Sequence, residues 1–350
     1  MDDLQTGISR RRFLVGAAAA GGGAAAAALL GPLAGRSVAR GARARLVPRN
    51  RIGLQLYTVR DMLAADPAGT LQQVADIGYH EVELAGLAGL SAARFRELAD
   101  ANALKIVGAH MSIVDLRNSV EAVLDTAETL GLRWVGVGAM SYPFIFNPPR
   151  PFAPTTEAAY RALAAEANRY GAAARARGFK GFYAHIHDWD HWPDPTTGRR
   201  VIDVFLEASD PESVFVEPDL FWMVNAGRDP VEFFDRWERR APLIHVKDRN
   251  PGPPVPPYGA APNFGPGIAD PGMGAIDFRR IFESLDRPKQ KHYIVERDTQ
   301  VHPLETAQIG YRYLRNLRGT PHGGPTGRGG EQSHTEAQRR HGSGPKDKPH

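Results

Sequence analysis

Eight short strand-like runs, separated by segments with helical periodicity, constrain the fold of this chain most strongly. Each run is rich in β-branched or aromatic residues, which favour strands. The runs are Ile52–Tyr57, His80–Leu84, Ile106–Ala109, Trp134–Val137, Gly181–His185, Val214–Pro218, Leu243–Val246 and Tyr293–Glu296. This alternation predicts parallel strands joined by crossover helices, and eight repeats favour closure into a single (β/α)8 barrel of the α/β class over an open sheet.

The segments between the runs carry helix signals and two irregular stretches. The Ala-rich stretch Thr155–Arg177 is the longest helix candidate, and Asp229 followed by Pro230 fits an N-cap and a first helical residue. Residues 141–154 and 250–274 are dense in Pro, Gly or aromatic residues. Both follow strand ends, so we expect them to form loops on the barrel face where active sites are built.

The charge is unevenly distributed along the chain. The sequence carries a formal net charge of +4, to which residues 1–45 contribute +5 and residues 319–350 contribute +2, leaving −3 for residues 46–318. An acidic body does not suggest binding to nucleic acid. The chain contains no cysteine, which excludes disulfides, thiolate zinc sites and cysteine nucleophiles.

Both ends of the chain are predicted to lie outside the barrel. Three consecutive arginines, Arg10–Arg12, precede an Ala/Gly run to about Gly35, a pattern typical of a twin-arginine export signal. An uncleaved anchor or a disordered basic arm is the alternative, but the run is too weakly apolar for a stable membrane span. We predict a signal peptide over 1–45, a barrel over 46–318 and a disordered polar tail over 319–350. The expected location is the periplasm or the extracellular space.

Four runs end in residues that bind cations: His185, Asp219, His245 and Glu296. The carboxyl ends of parallel barrel strands meet on one face, so these side chains should lie close together. A nitrogen and oxygen ligand set without thiolate suits Mn²⁺, Mg²⁺, Co²⁺ or Zn²⁺. The sequence therefore predicts one divalent metal ion, and the alternative is a carboxylate–imidazole hydrogen-bond network without an ion.

Seven motifs resemble, in the same order, those of the xylose isomerase-like TIM-barrel superfamily, and most closely its sugar phosphate isomerases/epimerases. They are GLQLYTVRD (53–61), GYHEVEL (78–84), YAHIHDWD (183–190), PDLFWMVNAGRDP (218–230), HVKD (245–248), GMGAIDF (272–278) and YIVERD (293–298). The resemblance covers about residues 50–318. It implies a divalent ion at the barrel mouth and proton transfer next to a sugar carbonyl. Asp219, His245 and Glu296 match the family's metal ligands by position.

The motifs depart from the family pattern at two places. His185 stands where epimerases of the family have a Glu that serves as both ligand and base, and Asp190 replaces the Glu of a related H-N-H-D-W-E pattern. Met273 lies between two glycines where many members have Gly-Glu-Gly. These departures disfavour a symmetric epimerisation with two carboxylate bases.

The resemblance and the chemistry of the strand-end groups predict a mechanism. The cation, with Mn²⁺ as first choice, would chelate a ketose or 3-keto-sugar through its carbonyl and an adjacent hydroxyl. Glu296 is the predicted base that forms an enediolate, with His187 or Glu83 as the opposing acid/base. Lys247 and His110 would stabilise developing oxyanion charge.

Further substrate contacts are predicted for Tyr57, His110, Trp222 and Asp190, although barrel packing would equally explain the two aromatic residues. The predicted function is that of a sugar isomerase or epimerase acting on a small unphosphorylated sugar or glycoside, because no Gly-rich phosphate-binding loop is present. The alternatives are a 3-keto-glycoside lyase or hydrolase and a sugar-binding module without catalysis. Endonuclease IV-type DNA repair is disfavoured because residues 250–273 contain no histidine. Assembly into an oligomer is compatible with the sequence.

Overall fold

The computed structural model describes residues 43–141, 154–257 and 264–320. The predicted polar tail beyond residue 320, nearly all of the predicted export signal and the central parts of the two predicted loops lie outside the described residues. None of the helices in the described ranges combines the length and the apolar character that a membrane span requires.

Eight parallel strands form a barrel, as predicted. They are β1 (Ile52–Gln55), β2 (Glu81–Leu84), β3 (Lys105–Met111), β4 (Val135–Val137), β5 (Phe182–Ile186), β6 (Val214–Pro218), β7 (Leu243–Val246) and β10 (His292–Val295). Their order in the sheet is β6-β5-β4-β3-β2-β1-β10-β7. A parallel bridge between Asp219 and His245 joins the two outermost strands, so the sheet closes on itself at the carboxyl ends of β6 and β7.

Helices occupy the connections between the strands. They are α1 (Arg60–Ala65), α2 (Pro67–Ile77), α3 (Ala92–Ala101), α4 (Ile113–Asn118), α5 (Val120–Leu130), α6 (Glu157–Ala176), α7 (Val201–Ala208), α8 (Leu220–Asn225), α9 (Pro230–Trp237), α10 (Phe278–Glu283) and α11 (Pro303–Asn316). The predicted start of α9 is confirmed, since the Asp229 carboxylate accepts a hydrogen bond from Val231 N at 2.9 Å and Pro230 is the first helical residue. The predicted long helix corresponds to α6.

The connection after β7 is more ordered than its composition predicts. Two short strands, β8 (Asp248–Arg249) and β9 (Ile268–Ala269), pair antiparallel within it. The buried carboxylate of Asp248 accepts hydrogen bonds from the backbone N–H groups of Gly272 and Gly274, both at 2.9 Å. Gly274 has no room for a side chain, because a Cβ there would lie 2.3 Å from Asp248 Oδ1.

The hydrogen bonds from Gly272 and Gly274 to Asp248 also fix the position of Met273, which lies between the two glycines. Met273 is 72% exposed and does not line the cavity described below. Its departure from the Gly-Glu-Gly pattern therefore changes a solvent-facing side chain and places no missing carboxylate at the barrel mouth.

The barrel interior holds a small apolar layer between its two ends. Tyr183, Leu243, Ile294 and their neighbours form this cluster, separate from the main core between barrel and helices. Gly136 makes space for Tyr183, because a Cβ at residue 136 would lie 2.0 Å from Cζ of the Tyr183 ring. Such close packing fixes the strands that carry the polar side chains above the layer.

Candidate active site

Polar side chains reach the barrel mouth in pairs two residues apart, because alternate residues of a strand face the same side. The pairs are His185 and His187 on and after β5, Glu217 and Asp219 on and after β6, and His245 and Lys247 on and after β7. Glu296 likewise lies two residues after Ile294 of the interior cluster. The parallel register sets Ile294 beside His245, and His245 beside Asp219.

The structure brings together the four side chains predicted as metal ligands. One ligand atom from each of His185, Asp219, His245 and Glu296 lies within 4.8 Å of the others, and all four residues are buried. Nδ1 of His245 lies 2.9 Å from Glu296 Oε2 and 3.8 Å from Asp219 Oδ2. Nε2 of His185 lies 3.5 Å from the same Asp219 oxygen.

Local hydrogen bonds turn the lone pairs of two of these residues toward the cluster. Nδ1 of His185 is 3.2 Å from the carbonyl oxygen of Gly138, which only accepts, so Nδ1 carries the proton and Nε2 keeps its lone pair. Asp219 uses Oδ1 to accept from the N–H groups of Phe221 and Trp222 at the start of α8, which leaves Oδ2 facing the cluster.

The donor set fits a divalent cation. His185 Nε2 and Asp219 Oδ2 are buried and make no aligned hydrogen bond within the described residues. Burial, aided by the charge of His245, lowers the pKa of His185, so its imidazole is neutral and able to bind a metal. His185, the one departure from the family's ligand pattern, therefore has a buried nitrogen oriented so that it could bind a metal ion.

Lys247 places a positive charge among three carboxylates. Its Nζ lies 2.9 Å from Asp219 Oδ2, 2.8 Å from Glu296 Oε2 and 2.9 Å from Asp298 Oδ2, as ion pairs without hydrogen-bond alignment. Burial lowers the pKa of Lys247, but the three carboxylates outweigh burial and hold the pKa well above its usual value. Lys247 thus stays an ammonium, and its predicted role in stabilising oxyanion charge stays a prediction.

A second polar layer lies directly below these ligands. Nε2 of His245 is 2.7 Å from Glu83 Oε2 and 3.2 Å from Glu217 Oε2, and Nε2 of His110 is 2.9 Å from the same Glu217 oxygen. Burial lowers the pKa of both imidazoles, but the carboxylates outweigh it and raise the pKa above the usual value. Glu83, His110, Glu217 and His245 therefore form a second, largely buried group whose ligand atoms lie within 4.8 Å of one another and that could also hold a metal ion. The predicted alternative, a network without an ion among His185, Asp219, His245 and Glu296, stays open beside the metal site.

Two residues in this lower layer depart from the sequence predictions. Glu83 is fully buried, accepts from Tyr183 OH at 2.6 Å and Gln55 Nε2 at 2.9 Å, and does not line the cavity. This position does not favour the predicted acid/base role, and the Glu83 carboxylate instead faces His245 Nε2 at 2.7 Å. Glu217 escaped prediction, although its position two residues before Asp219 on the same strand was the available signal.

His187 and Asp190 are linked at the end of β5. The His187 ring stacks on Trp189 with centroids 4.1 Å apart, and Nδ1 has no hydrogen-bond partner among the described residues. Burial, together with the charges of His185 and Lys247, holds the pKa of His187 well below its usual value. Asp190 accepts from His187 N at 2.7 Å and from Tyr160 OH at 2.6 Å. Asp190 does not line the cavity and its carboxylate is directed at His187 N and Tyr160 OH, which does not favour the predicted substrate contact.

A cavity of about 1200 Å³ opens above the cluster. Its deep end is lined by His110, His185, His187, Lys247 and Glu296. The two predicted aromatic contacts also line it: Trp222 with Lys247 Nζ 5.3 Å from its ring centroid, and Tyr57 at the mouth, 38% exposed. Tyr57 is thus open to the cavity, whereas Trp222 is 3% exposed and packs with Phe221 and Ile268, so barrel packing still accounts for Trp222.

Comparisons with known proteins agree with this geometry. A family model described as "Xylose isomerase-like TIM barrel" matches residues 71–317. An inosose dehydratase of Clostridium perfringens is 27% identical over 168 residues, which are 45% of this chain and 55% of that protein. The chain thus spans about half the length of the curated relatives it matches.

Solved structures share the fold at lower identity. A sugar phosphate isomerase/epimerase from Parabacteroides distasonis superposes with a TM-score of 0.62 at 22% identity, covering 76% of this chain and 98% of the other. The IolI protein, whose structure contains a bound zinc atom, superposes with a TM-score of 0.55 at 13% identity, covering 75% and 95%. At these identities the likeness concerns the fold alone.

Proposed function

Because the chain belongs to the xylose isomerase-like TIM-barrel family, we propose that it is a metal-dependent enzyme acting next to the carbonyl of a keto-sugar or related cyclic polyol. The reaction removes the proton on the carbon beside the carbonyl and expels the substituent on the next carbon. One observation carries the proposal: a neutral imidazole, His187, and a charged ammonium, Lys247, line one cavity beside four converging metal-ligand atoms.

His185, Asp219, His245 and Glu296 would hold the cation, for which Mn²⁺, Zn²⁺, Mg²⁺ and Co²⁺ are the candidates. When bound, the cation supplies Lewis-acid polarisation of the carbonyl and hydroxyl oxygens of the substrate. Glu83 and Glu217 would accept the Nε2 proton of His245, leaving Nδ1 for the metal side. The neighbouring zinc-containing structure supports a metal in this fold.

We assign the base role to His187 rather than to Glu296. Burial raises the pKa of Glu296, but Lys247 and His245 outweigh burial and hold the pKa well below its usual value, so this carboxylate is a weak base. His187 lines the cavity, and its Nδ1 has no hydrogen-bond partner among the described residues. A neutral imidazole is the side chain best suited to proton transfer near neutral pH.

His187 takes the proton, and the C–H electron pair forms the carbon–carbon double bond of an enolate whose oxygen charge Lys247 stabilises. The enolate re-forms the ketone and the electron pair shifts to expel the neighbouring substituent as an alkoxide or hydroxide. His187 returns its proton to that oxygen. The products are a conjugated enone and an alcohol or water.

Elimination is favoured over isomerisation by the dehydratase names of the curated relatives. It also needs only one acid/base group, which agrees with the absence of a second carboxylate base at residue 185. Isomerisation shares the first proton transfer and is the second candidate, supported by the sequence motifs. It would return the proton to a neighbouring carbon and keep the substituent.

The test combines metal analysis with proton exchange. Purified protein is incubated in D₂O with an inosose and with a 3-keto-glucoside, and exchange and enone absorbance are recorded. We expect bound divalent metal and metal-dependent exchange that falls about 10²–10⁴-fold in His187→Gln. His80→Gln, a histidine exposed before β2, is the matched control and keeps full activity.

Three outcomes decide between the candidates. Enone with expelled alcohol or water supports elimination, whereas exchange with an isomerised sugar and no enone supports isomerisation. Sugar binding without exchange in metal-loaded protein would show a binding module and overturn the proposal. Full activity in His187→Gln would remove His187 from the base role.

A further inference from the structure

The cavity continues well beyond the metal-ligand cluster. Its far side, here called the apolar flank, is lined by Leu87, Met111, Ile113, Val114, Ala122 and Val123. These residues come from the loop after β2, the end of β3 and helices α4 and α5. At about 1200 Å³ the cavity exceeds the roughly 300–1,000 Å³ that accommodates most drug-sized ligands. A single sugar ring at the deep end would leave the apolar flank unfilled.

Val114 is the clearest sign that the apolar flank is a contact surface. It is 46% exposed, whereas the preceding residue on α4, Ile113, is 5% exposed and packs in the main core. The side chain of Ile113 therefore contributes to the main core, whereas the side chain of Val114 faces the cavity. Leu87 and Met111 extend the same surface and are only partly buried.

The charges in the cavity argue against a phosphorylated substrate. Arg60 and Lys247 are the only Lys or Arg side chains among the described lining residues. Lys247 lies at the deep end among three carboxylates, whose negative charges would repel a phosphate dianion. Arg60 donates to the carbonyl oxygens of Tyr57 at 2.9 Å and Asp298 at 3.0 Å, and its guanidinium lies over the Tyr57 ring. The described part of the cavity lining therefore offers no cluster of free cations of the kind that a phosphate dianion would need.

We infer that the apolar flank is an aglycone subsite, and that the substrates are unphosphorylated 3-keto-glycosides with an apolar aromatic or alkyl aglycone. This inference rests on the proposed function. In such a substrate the proton beside the carbonyl is on C2 and the expelled substituent on C1 is the aglycone oxygen. The C2–H electron pair forms the C1–C2 double bond as the C1–O bond breaks, and His187 returns the proton to the expelled aglycone oxygen, giving the alcohol. An expelled group next to the base would lie against the apolar flank.

The test compares benzyl and methyl 3-keto-β-glucosides, whose leaving alcohols have similar acidity, so that aglycone contacts rather than leaving ability set the difference. Both yield the same enone. We expect kcat/KM for the benzyl compound to exceed that for the methyl compound by about 10–100-fold, mainly through KM. Val114→Asp should remove about 10-fold or more of this preference by lowering kcat/KM for the benzyl compound more than for the methyl compound.

Val301→Asp is the matched control, since Val301 is 65% exposed and lies outside the cavity lining. Aspartate is tolerated in the first turn of a helix, so Val114→Asp should fold normally. Equal turnover of both compounds by wild type, or an unchanged preference in Val114→Asp, would overturn the aglycone subsite while the proposed function stands. A 6-phosphorylated sugar preferred over both would overturn it as well.

A failure of the proposed function is separately visible. If neither compound yields enone in metal-loaded protein, catalysis of this kind is absent and binding becomes the readout. Calorimetric titration with benzyl and methyl β-glucoside then tests the subsite directly. A benzyl preference that is lost in Val114→Asp retains the subsite, and the absence of any preference overturns it.

Discussion

The two ends of the barrel both bury a contact between a glutamate and a histidine, yet only one end is suited to chemistry. At the amino end, His292 Nδ1 lies 2.6 Å from Glu81 Oε2, and Arg51 Nη1 lies 3.0 Å from His292 Nε2. At the carboxyl end, His245 Nε2 lies 2.7 Å from Glu83 Oε2. Glu81 and Glu83 are even on the same strand, two residues apart.

The difference lies in what remains after these contacts are made. At the amino end the three side chains satisfy one another and leave no buried polar atom without a partner. At the carboxyl end His185 Nε2, Asp219 Oδ2 and His187 Nδ1 lack an aligned partner among the described residues, and a cavity opens beside them. A buried imidazole–carboxylate pair therefore does not mark a functional site by itself. A candidate functional site is marked instead by buried nitrogen and oxygen atoms that lack a protein partner and lie beside a cavity. In barrels of this kind such sites are expected at the carboxyl end of the strands.

The sharpest test of this contrast changes one carboxylate at each end. Asp219→Asn keeps the Oδ1 acceptor that starts α8 but replaces the oxygen facing the cluster, so we expect metal affinity to fall more than about 100-fold. Glu81→Gln at the amino end should leave metal affinity unchanged and lower the free energy of unfolding by about 1–3 kcal/mol. Metal titration calorimetry and urea unfolding measure the two effects. The contrast fails if both variants weaken metal binding equally.

A buried lysine is available at each end for the second comparison. Lys247→Met removes the ammonium beside the reacting oxygen, so kcat should fall about 10²–10³-fold. It also removes a cation that competes for Asp219 and Glu296, so metal should stabilise this variant more than wild type against thermal unfolding.

Lys291→Met is its control, because buried Lys291 donates to the carbonyl oxygens of Glu238 and Ala241 away from the cavity. It should lose stability but keep kcat and metal affinity. A kcat loss as large in Lys291→Met as in Lys247→Met would show that general destabilisation explains the effect.

The third comparison is between the two layers at the carboxyl end. Glu217→Gln replaces a carboxylate that faces both His110 and His245 with an amide, which holds the Nε2 proton of His245 less firmly. We expect metal affinity to fall about 10–100-fold with the fold retained. Glu212→Gln, on the exposed turn before β6, should behave as wild type. Unchanged metal affinity in Glu217→Gln would make the lower layer purely structural.

The sequence predicts the barrel and the metal-ligand cluster for the same physical reason. Strand and helix periodicity set the topology, and parallel topology brings the strand ends to one face. His185, Asp219, His245 and Glu296 could thus be grouped without coordinates. Two-residue strands such as β8 and β9 are too short to show periodicity, which is why the ordered part of that connection was predicted as an irregular loop.

Depth along the barrel axis is what the sequence does not reveal. Glu83 is near the end of its strand, yet it lies one layer below the cavity. Asp190 follows β5 closely, but the short helical turn after His187 directs it toward Tyr160. Glu217 was not predicted as a site residue because it lies within β6, and only the residues at the ends of the strands were considered as candidates. Depth depends on stagger between strands and on side-chain rotamers, which residue order does not encode.

The smallest expected effect concerns the pH dependence of the free energy of unfolding, which depends on a buried carboxyl group at the carboxyl end of the barrel. Burial raises the pKa of Asp190 to about 7, against hydrogen bonds from His187 N and Tyr160 OH that lower it. The folded state thus holds a proton that the unfolded chain releases near its ordinary pKa of 3.8, so stability declines as pH rises from about 4 to 7. Asp190→Asn should lessen the fall in Tm between pH 5 and pH 8 by about 2–4 °C, whereas Asp76→Asn on exposed α2 should not. Because Asp188, whose pKa burial also raises to about 7, is untouched, part of the decline should persist. An unchanged pH dependence in Asp190→Asn would show that this end of the barrel bears no such electrostatic cost at residue 190.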